Sequence, residues 1–354
     1  MGNNLTVFVI GAGASVDVGL PTGDQLKDEI ASIFENVGRG YASRDPLGPM
    51  ELVLDRLVQL EKLNDKRPLV QAAKQIAATL PGALSIDNLM HSRSDDPLLV
   101  QWGKIGITWV ILNRERGALH NAFGTQRDED HHGLFVVPPP ARGLAALKDS
   151  WLLKFGARIT EGCTKEELAE RFENLAFVVF NYDRCIEYFL YHFLKTFYHP
   201  LADKEIVSIL KGATFLHPYG VVGELPWQSP ASFIDLGDAL EIGDLIWASK
   251  RIRTFTEGEE PRSDGISAPT LFEKASKIAF LGFSFLDLNM RLFKSDQPIV
   301  NAPLIFGTAM NMSDVDKQDV KFKVRGLFAT QPDVHLLDGD CSEFFDHYSK
   351  WLRL

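Results

Sequence analysis

The stretch VFVIGAGASVDVGLPTG, residues 7–23, is the most informative part of this chain about its fold. It begins with an apolar, β-rich run that ends at Gly11, which is typical of a fully buried strand in a parallel sheet. A glycine turn follows, and apolar residues then recur at helical spacing in DQLKDEIASIFENV. The pattern predicts that Gly11 and Gly13 bring the backbone close to a pyrophosphate at a helix N-terminus. A glycine turn without a ligand stays the alternative, because Val16 stands where the usual dinucleotide fingerprint has its third glycine.

Further strand signals come after residue 170 and alternate with helical stretches such as DRCIEYFLYHFLKTFY and SEFFDHYSKWL. The strand-like runs are LAFVVF (175–180), ATFLH (213–217), KIAFLGF (277–283), PLIFGTA (303–309) and DVHLL (333–337). Alternating strands and helices imply parallel strands joined by right-handed crossovers. With the first strand about six strands are available, so we predict an α/β fold with a Rossmann-like, doubly wound parallel sheet.

Residues 36–170 have a different character, because helical periodicity dominates and strand signals are few. The apolar spacing in MELVLDRLVQLEKL, PLVQAAKQIAATL and PLLVQWGKIGITWVIL predicts helices. Thr164 and Glu167 form a capping-box pattern that predicts the start of another helix. We therefore predict a mostly helical module, residues 36–170, inserted into a Rossmann-like domain made of residues 1–35 and 171–354.

Composition excludes several classes of function. The chain of 354 residues has a net charge of −10, so it gains nothing from counterion release, and broad binding to nucleic acid is not expected. No apolar run approaches the roughly 18 residues of a membrane span, and the N-terminus lacks a signal-peptide pattern. The three cysteines, Cys163, Cys185 and Cys341, form no CxxC pair, which excludes a four-thiolate zinc site and favours a reducing, cytoplasmic location. The adjacent histidines of GTQRDEDHHG (124–133) are interpreted as solvated, so no metal site is expected.

Polar side chains follow three of the predicted strands at their carboxyl ends, where doubly wound sheets bind ligands. Asn181 and Asp183 follow LAFVVF, and Asp183 also stands where it would cap the next helix. His217 follows ATFL, and the near-neutral pKa of an ordinary imidazole makes it a candidate general base. Gly282 and Ser284 follow KIAFL and suit contact with a ribose hydroxyl or a phosphate, with an ordinary strand-to-helix turn as the alternative.

The ordered motifs GAGAS…GLPTG, FNYD, LHPYG and LGFSFLD resemble the sirtuin superfamily. The resemblance is closer to the bacterial sirtuin-like domains of anti-phage defence proteins. The segments SIDNLMHSRSDD and KIGITWVIL, within residues 85–112, also look like that bacterial branch. The likeness covers nearly the whole chain and keeps the order of the motifs.

This resemblance implies a role for residues in each motif. The glycine loop would bind the NAD pyrophosphate through Gly11, Ala12, Gly13 and Ser15. Pro21 and Thr22, which follow in the same segment, are also assigned to NAD binding. Asn181 and Asp183 match the sirtuin Q-N-I-D stretch beside the nicotinamide ribose, with Phe180 in place of the glutamine. His217 matches the general base of the family. The adenosine side is assigned to Gly282, Phe283 and Ser284.

Three departures separate this chain from the deacylating sirtuins. Those enzymes carry two CxxC pairs on a zinc module, and this chain has none. Their P-D-F-R stretch reads PTGD (21–24) here, and their H-G reads HPYG (217–220). The resemblance therefore implies an NAD+ hydrolase that cleaves the nicotinamide–ribose bond with water and releases nicotinamide and ADP-ribose. A non-catalytic NAD or ADP-ribose sensor that gates a partner, and an NAD-dependent protein deacylase, are the alternatives.

An unrestrained NADase would kill its host, so the resemblance implies low basal activity and a separate trigger in abortive infection. We expect a homo-oligomer, as is usual in the family, with the helical insertion as a candidate interface. A partner ATPase or a phage-sensing protein would supply the signal. NAD+ is expected as a substrate, and neither zinc nor a membrane is expected as a partner.

Overall fold

The computed structural model describes residues 4–38, 48–123, 143–259 and 265–352. It confirms the predicted α/β fold, since these residues form a six-stranded, all-parallel sheet with helices on its faces. The strands are β1 (Leu5–Ile10), β2 (Leu175–Val179), β3 (Thr214–Leu216), β4 (Ala275–Leu281), β5 (Leu304–Thr308) and β6 (Val334–Leu337). Each strand overlaps a run that the sequence predicted as a strand.

The strand order is β3-β2-β1-β4-β5-β6, so the progress of the chain reverses between β1 and β4. In a doubly wound sheet, ligands bind beside such a switch point, outside the carboxyl ends of the strands. The register pairs Ile10 with both Val179 and Leu281, so β1, β2 and β4 end at the same level. The loops that follow these three strands therefore meet at one edge of the sheet.

Helices cover both faces of the sheet. The first half of the described chain contains α1 (Gly23–Phe34), α2 (Gly48–Leu60), α3 (Arg67–Thr79), α4 (Ile86–Ser92), α5 (Pro97–Asn121), α6 (Trp151–Thr160) and α7 (Leu168–Glu173). The second half contains α8 (Cys185–Phe197), α9 (Asp203–Leu210), α10 (Ile242–Ser249), α11 (Phe255–Glu259), α12 (Ala268–Lys274), α13 (Asp287–Arg291), α14 (Asp314–Arg325) and α15 (Cys341–Leu352).

A hydrophobic core lies on each side of the sheet, because alternate side chains of β1 point in opposite directions. Val7 and Val9 pack into one core with apolar residues of α1 and of the helices α2 to α5. Phe8 and Ile10 pack into the other core with α6 to α9 and α15. Helices from residues 36–170 therefore contribute to both cores. The division of the chain into a domain and an insertion stays a prediction.

The segment directly after β1 differs from the prediction. It is a 3-10 helix, Ala12–Val18, and the first α-helix begins only at Gly23. Gly19 ends the 3-10 helix in the left-handed region, at φ 89°, where a residue without a Cβ is favoured. Thr22 then caps α1, since its hydroxyl accepts a hydrogen bond from Gln25 N at 3.3 Å. No α-helix N-terminus therefore stands at the glycine turn.

The predicted capping box at Thr164 is only half formed. Thr164 N donates to Glu167 Oε2 at 2.8 Å, but this contact closes a turn, and α7 begins later, at Leu168. The loop 124–133, which carries the adjacent histidines, lies outside the described residues. None of the helices in the described ranges combines the length and the apolar character that crossing a bilayer requires.

Candidate functional site

The loops after β1 and β4 are in direct backbone contact at the switch point. Gly11 N donates to Leu281 O at 2.9 Å, and Gly13 N donates to Gly282 O at 3.0 Å. Gly282 has φ 57°, and a Cβ on it would lie 2.1 Å from Ala14 N. A Cβ on Gly11 would lie 2.5 Å from Gly282 O. The glycines that were predicted to admit a pyrophosphate therefore allow one loop to pack against the other, and the Gly13 amide is already used.

A buried polar cluster lies on the other side of the glycine loop, where the loops after β1 and β2 meet. Ser15 projects from the 3-10 helix, and its Oγ accepts a hydrogen bond from Asn181 Nδ2 at 2.8 Å. The Ser15 hydroxyl also acts on the Asp183 carboxyl group and lowers its pKa. Exposure of these three residues is 6% or less. The structure thus brings Ser15, Asn181 and Asp183 together, as the order of the motifs predicts.

His217 joins this cluster from the end of β3. Its Nδ1 lies 3.3 Å from the main-chain oxygen of Asn181, and its Nε2 lies 2.6 Å from Glu187 Oε1. Burial lowers the pKa of His217, but the charge and hydrogen bond of Glu187 outweigh that effect, so the pKa lies above its ordinary value of 6.5. The predicted convergence of Asn181 and His217 is therefore present in the structure.

Asp183 is a buried carboxyl group beside other acids. Burial raises the pKa of Asp183 to about 6, and the charges of Glu115 and Glu187 act in the same direction. Hydrogen bonds oppose this rise, because Cys185 N donates to Asp183 Oδ1 at 3.0 Å at the start of α8. This bond closes a turn just before α8, whose N-cap position is Arg184 and not Asp183 as predicted. A carboxylate with this pKa changes its charge just below neutral pH.

Two buried acceptor atoms of the cluster lack a donor within the described ranges. They are Asn181 Oδ1 and Glu187 Oε2. A buried acceptor without a partner costs free energy, so such atoms mark a place where a ligand or water donates a hydrogen bond. Hydroxyl groups of a sugar are donors of this kind. The two atoms belong to the residues that contact His217, so we take this cluster as the candidate ligand site.

The cavity at this cluster is small. It has a volume of about 10 Å³ and is walled by Ser15, Asn181, Asp183, Trp151 and Ile186, among others. Such a volume accommodates about one water molecule. A nicotinamide ribose is far larger than this cavity, so the cavity as described does not admit one.

A buried ion pair holds the loops after β2 and β3 in place. Arg184 Nη2 lies 2.5 Å from Glu115 Oε2, and Arg184 Nε donates to Glu115 Oε1 at 3.1 Å. Both side chains are almost wholly buried. The guanidinium also donates to main-chain oxygens of the long loop after β3, at Gly223, Ile234 and Asp235. Arg184 therefore ties α5 to the loop after β2 and to the loop that begins at His217.

A second contact joins the FNYD motif to the predicted insertion. The Tyr182 hydroxyl donates to Asp87 in α4. Burial raises the pKa of Asp87 to about 6, although the Tyr182 hydrogen bond acts in the opposite direction. Tyr182 and Arg184, the residues on either side of Asp183, are thus anchored to helices of the region 36–170.

The remaining predicted residues lie outside the polar cluster. Phe283 is buried and packs against Phe180, with ring centroids 4.8 Å apart, so both fill apolar space. Ser284 is exposed, and Ala12 is half-buried at the start of the 3-10 helix. Pro21 is buried, and Thr22 serves as the cap of α1.

Glu187, Glu115 and Arg184 were not identified from the sequence. Glu187 is the single acidic residue in the apolar helix CIEYFLYHFL, and that isolation is a signal that could have found it. It lies four positions after Asp183, in the first turn of α8, and both acidic side chains are buried. Glu115 stands among other charged residues in NRERG, where no sequence signal separates it from its neighbours.

The three cysteines are buried and free. Over the described ranges, no group of three or more His, Cys, Asp or Glu side chains is arranged to hold a metal ion. Comparison with known proteins adds no identification, because no family model matches the chain and no curated protein matches it significantly. The fold and the polar cluster therefore define an α/β protein with a Rossmann-like sheet and a buried candidate site at its carboxyl edge.

Proposed function

We propose that this protein is an NAD+ glycohydrolase that cleaves the nicotinamide–ribose bond and releases nicotinamide and ADP-ribose. The observation that carries the proposal is the convergence of Ser15, Asn181, Asp183 and His217 at the ends of three adjacent strands. The unpaired acceptors Asn181 Oδ1 and Glu187 Oε2 lie in the same cluster and suit the hydroxyl groups of a ribose. The order of the motifs, which resembles that of bacterial sirtuin-like NADases, supports the same assignment.

The chemistry needs few catalytic groups. Nicotinamide leaves as a neutral molecule from a cationic substrate, so no acid is required to expel it. The transition state at the ribose carbon has oxocarbenium character, as in other glycosyl transfers. A buried carboxylate such as Asp183 stabilises the developing positive charge. Asn181 orients the ribose or the attacking water, and His217 accepts a proton from water or from a ribose hydroxyl.

The small cavity supports a triggered activity. Because the cavity as described does not admit a nicotinamide ribose, the protein as described would turn over NAD+ slowly. A trigger that favours an open arrangement would raise the rate, since a ligand or partner shifts a conformational equilibrium by binding one state more tightly. We propose that self-assembly or a partner, such as an ATPase or a phage-sensing protein, supplies this trigger during anti-phage defence.

The test is to incubate the purified protein with NAD+ and to resolve the products by chromatography, with and without lysate from phage-infected cells. We expect nicotinamide and ADP-ribose in equal amounts. Asn181→Ala and His217→Ala should each abolish the reaction. The exposed residues at the end of α5 offer matched controls, and His120→Ala and Asn121→Ala should retain wild-type activity.

Three results would contradict the proposal. Full activity in both site variants would remove the assignment of the site. Binding of NAD+ or ADP-ribose without turnover, even in the presence of lysate, would identify a sensor. Nicotinamide release that depends on an added acylated peptide would identify a deacylase.

A further inference from the structure

We propose that Trp151 is an autoinhibitory contact, which holds the 3-10 helix after β1 against the polar cluster and keeps the candidate site closed. This inference rests on the proposed function and names the element through which a trigger acts. Trp151 is the first residue of α6, and α6 belongs to the region 36–170 that was predicted as an insertion. The indole therefore joins that region to the loop after β1.

Trp151 holds the 3-10 helix at two points. Its indole Nε1 donates to Ala14 O at 2.5 Å, and its main-chain N donates to Asp17 Oδ2 at 3.1 Å. The residue is 2% exposed, and its ring stacks on Phe345 of α15, with centroids 5.8 Å apart and an angle of 8° between the ring planes. The position of the indole is therefore set by α6 and α15.

The 3-10 helix has little support of its own. It is seven residues long, Ala12–Val18, whereas runs beyond three or four residues are uncommon because the geometry of their hydrogen bonds is poor. It lies between Gly11 and Gly19, and Gly19 has φ 89°. Val16 and Asp17 are exposed. Contacts made by other elements therefore decide where this segment lies.

The position of this segment sets the size of the cavity at the candidate site. Trp151 walls the cavity together with Ala14, Ser15 and Val18 of the 3-10 helix and Asn181 of the loop after β2. The bond from the indole reaches Ala14, directly before Ser15, whose Oγ accepts from Asn181 Nδ2 at 2.8 Å. Release of the indole bond therefore frees one wall of the cavity, and an outward shift of that wall enlarges the space beside Asn181.

Both bonds start at one residue, so a movement of α6 breaks them together. Two hydrogen bonds of ordinary net strength correspond to a change of about 10-fold to 100-fold in the equilibrium between closed and open arrangements. A partner or a second copy that binds the region 36–170 and displaces α6 would thus raise the population of the open site without contact to the site itself.

The experiment compares wild type, Trp151→Phe and Asp17→Ala by two measurements. The first is hydrogen exchange of the backbone amides of residues 12–20 without NAD+, and the second is the basal rate of NAD+ cleavage. Trp151→Phe keeps an aromatic ring for the contact with Phe345 but removes the indole N–H. Asp17→Ala removes the acceptor of the other bond at an exposed position. In each variant we expect exchange to be faster by roughly 3-fold to 10-fold, the factor for one hydrogen bond, and the basal rate to rise by a similar factor.

Trp227→Phe is the matched control. Its indole Nε1 is buried and has no hydrogen-bond partner in the described part of the chain. The same substitution there removes an N–H group without breaking a bond, so exchange of residues 12–20 and the basal rate should both stay at the wild-type values.

The outcomes separate the two proposals. Wild-type exchange of residues 12–20 in both Trp151→Phe and Asp17→Ala overturns the autoinhibitory contact. Faster exchange with an unchanged or lower basal rate also overturns it, since the bonds would then not restrain activity. If Trp151→Phe does not fold, Asp17→Ala decides by the same two measurements. If no condition yields nicotinamide from the wild type, the proposed function fails and the inhibitory role fails with it, while hydrogen exchange still establishes whether Trp151 holds the loop after β1.

Discussion

Asp183→Asn is the substitution whose effect follows most directly from the structure. Asp183 is 4% exposed, and burial together with nearby acids raises its pKa to about 6. The asparagine is nearly isosteric and keeps an oxygen for the amide of Cys185. It removes the ionisable group, so it removes the cost of holding a carboxylate charge in the interior.

The magnitude follows from the two pKa values. The ordinary pKa is 3.8 and the folded-state value is about 6, and this difference corresponds to about 3 kcal/mol. Because the folded state binds the proton more tightly, the wild type loses this stability as the pH rises from about 4 to about 6. The variant lacks that loss. The amide also replaces one oxygen of the carboxyl group by an NH2 group, which disturbs its hydrogen bonds and costs about 1 kcal/mol at every pH.

We expect the difference in the free energy of unfolding between the variant and the wild type to change sign with pH. At pH 8 the variant should be more stable than the wild type by about 2 kcal/mol, and near pH 4 it should be less stable by about 0.5 kcal/mol. Urea unfolding followed by circular dichroism at a series of pH values measures this difference. Asp87, whose pKa is also raised to about 6, contributes equally to both proteins and cancels.

The exposed Asp149 provides a control, and Asp149→Asn should change stability by less than about 0.5 kcal/mol at every pH. A stability difference between Asp183→Asn and wild type that stays constant from pH 4 to pH 8 would refute the reasoning. It would mean that Asp183 is ionised in the folded protein at low pH. Under the proposed function, the stabilised variant should also lose NAD+ cleavage at pH 8, because the charge near the ribose carbon is gone.

Two further substitutions test the packing around the site. Glu115→Ala leaves Arg184 buried without its carboxylate, so urea unfolding should show a loss of about 3–5 kcal/mol. The double variant Glu115→Ala/Arg184→Met should recover part of that loss, and an equal or larger loss would contradict the ion-pair argument. Gly282→Ala places a Cβ 2.1 Å from a backbone nitrogen at φ 57°, so it should lower the thermal midpoint and cost more than about 1 kcal/mol. Gly117→Ala, in an open position of α5, should instead be neutral or stabilising by up to about 1 kcal/mol, and similar effects of the two substitutions would argue against the loop contact.

The sequence predicted the elements of this fold well, because strands and helices have local signatures. The buried run before Gly11 and the later apolar runs correspond to the six strands, since a strand covered on both faces is apolar at consecutive positions. Helix bounds were less accurate. A helix was predicted to start at Thr164 but starts at Leu168, and the segment after the glycine turn is a 3-10 helix. Both differences arise because caps and turns depend on contacts that hydrophobic periodicity does not report.

The order of polar strand ends also indicated where the candidate site lies. Asn181, Asp183 and His217 each follow a strand of a parallel sheet, so all three lie at the same edge of the sheet, where the carboxyl ends of the strands are. The sequence did not indicate that the glycine loop packs against the loop after β4. Gly11 and Gly13 pack against Gly282, which lies far along the chain and becomes a neighbour only because β4 pairs with β1. Their contact with a ligand stays a prediction.

Local sequence patterns were therefore enough to predict the class of fold, the number of strands and the polar residues at their carboxyl ends. Which of those residues contact one another follows from the tertiary structure alone. The hydrogen bond between Asn181 and Ser15 joins residues 166 positions apart, and the pair of His217 with Glu187 joins residues 30 positions apart. Such contacts are set by the order of the strands and by the direction of each loop, which depend on packing across the whole sheet rather than on local sequence.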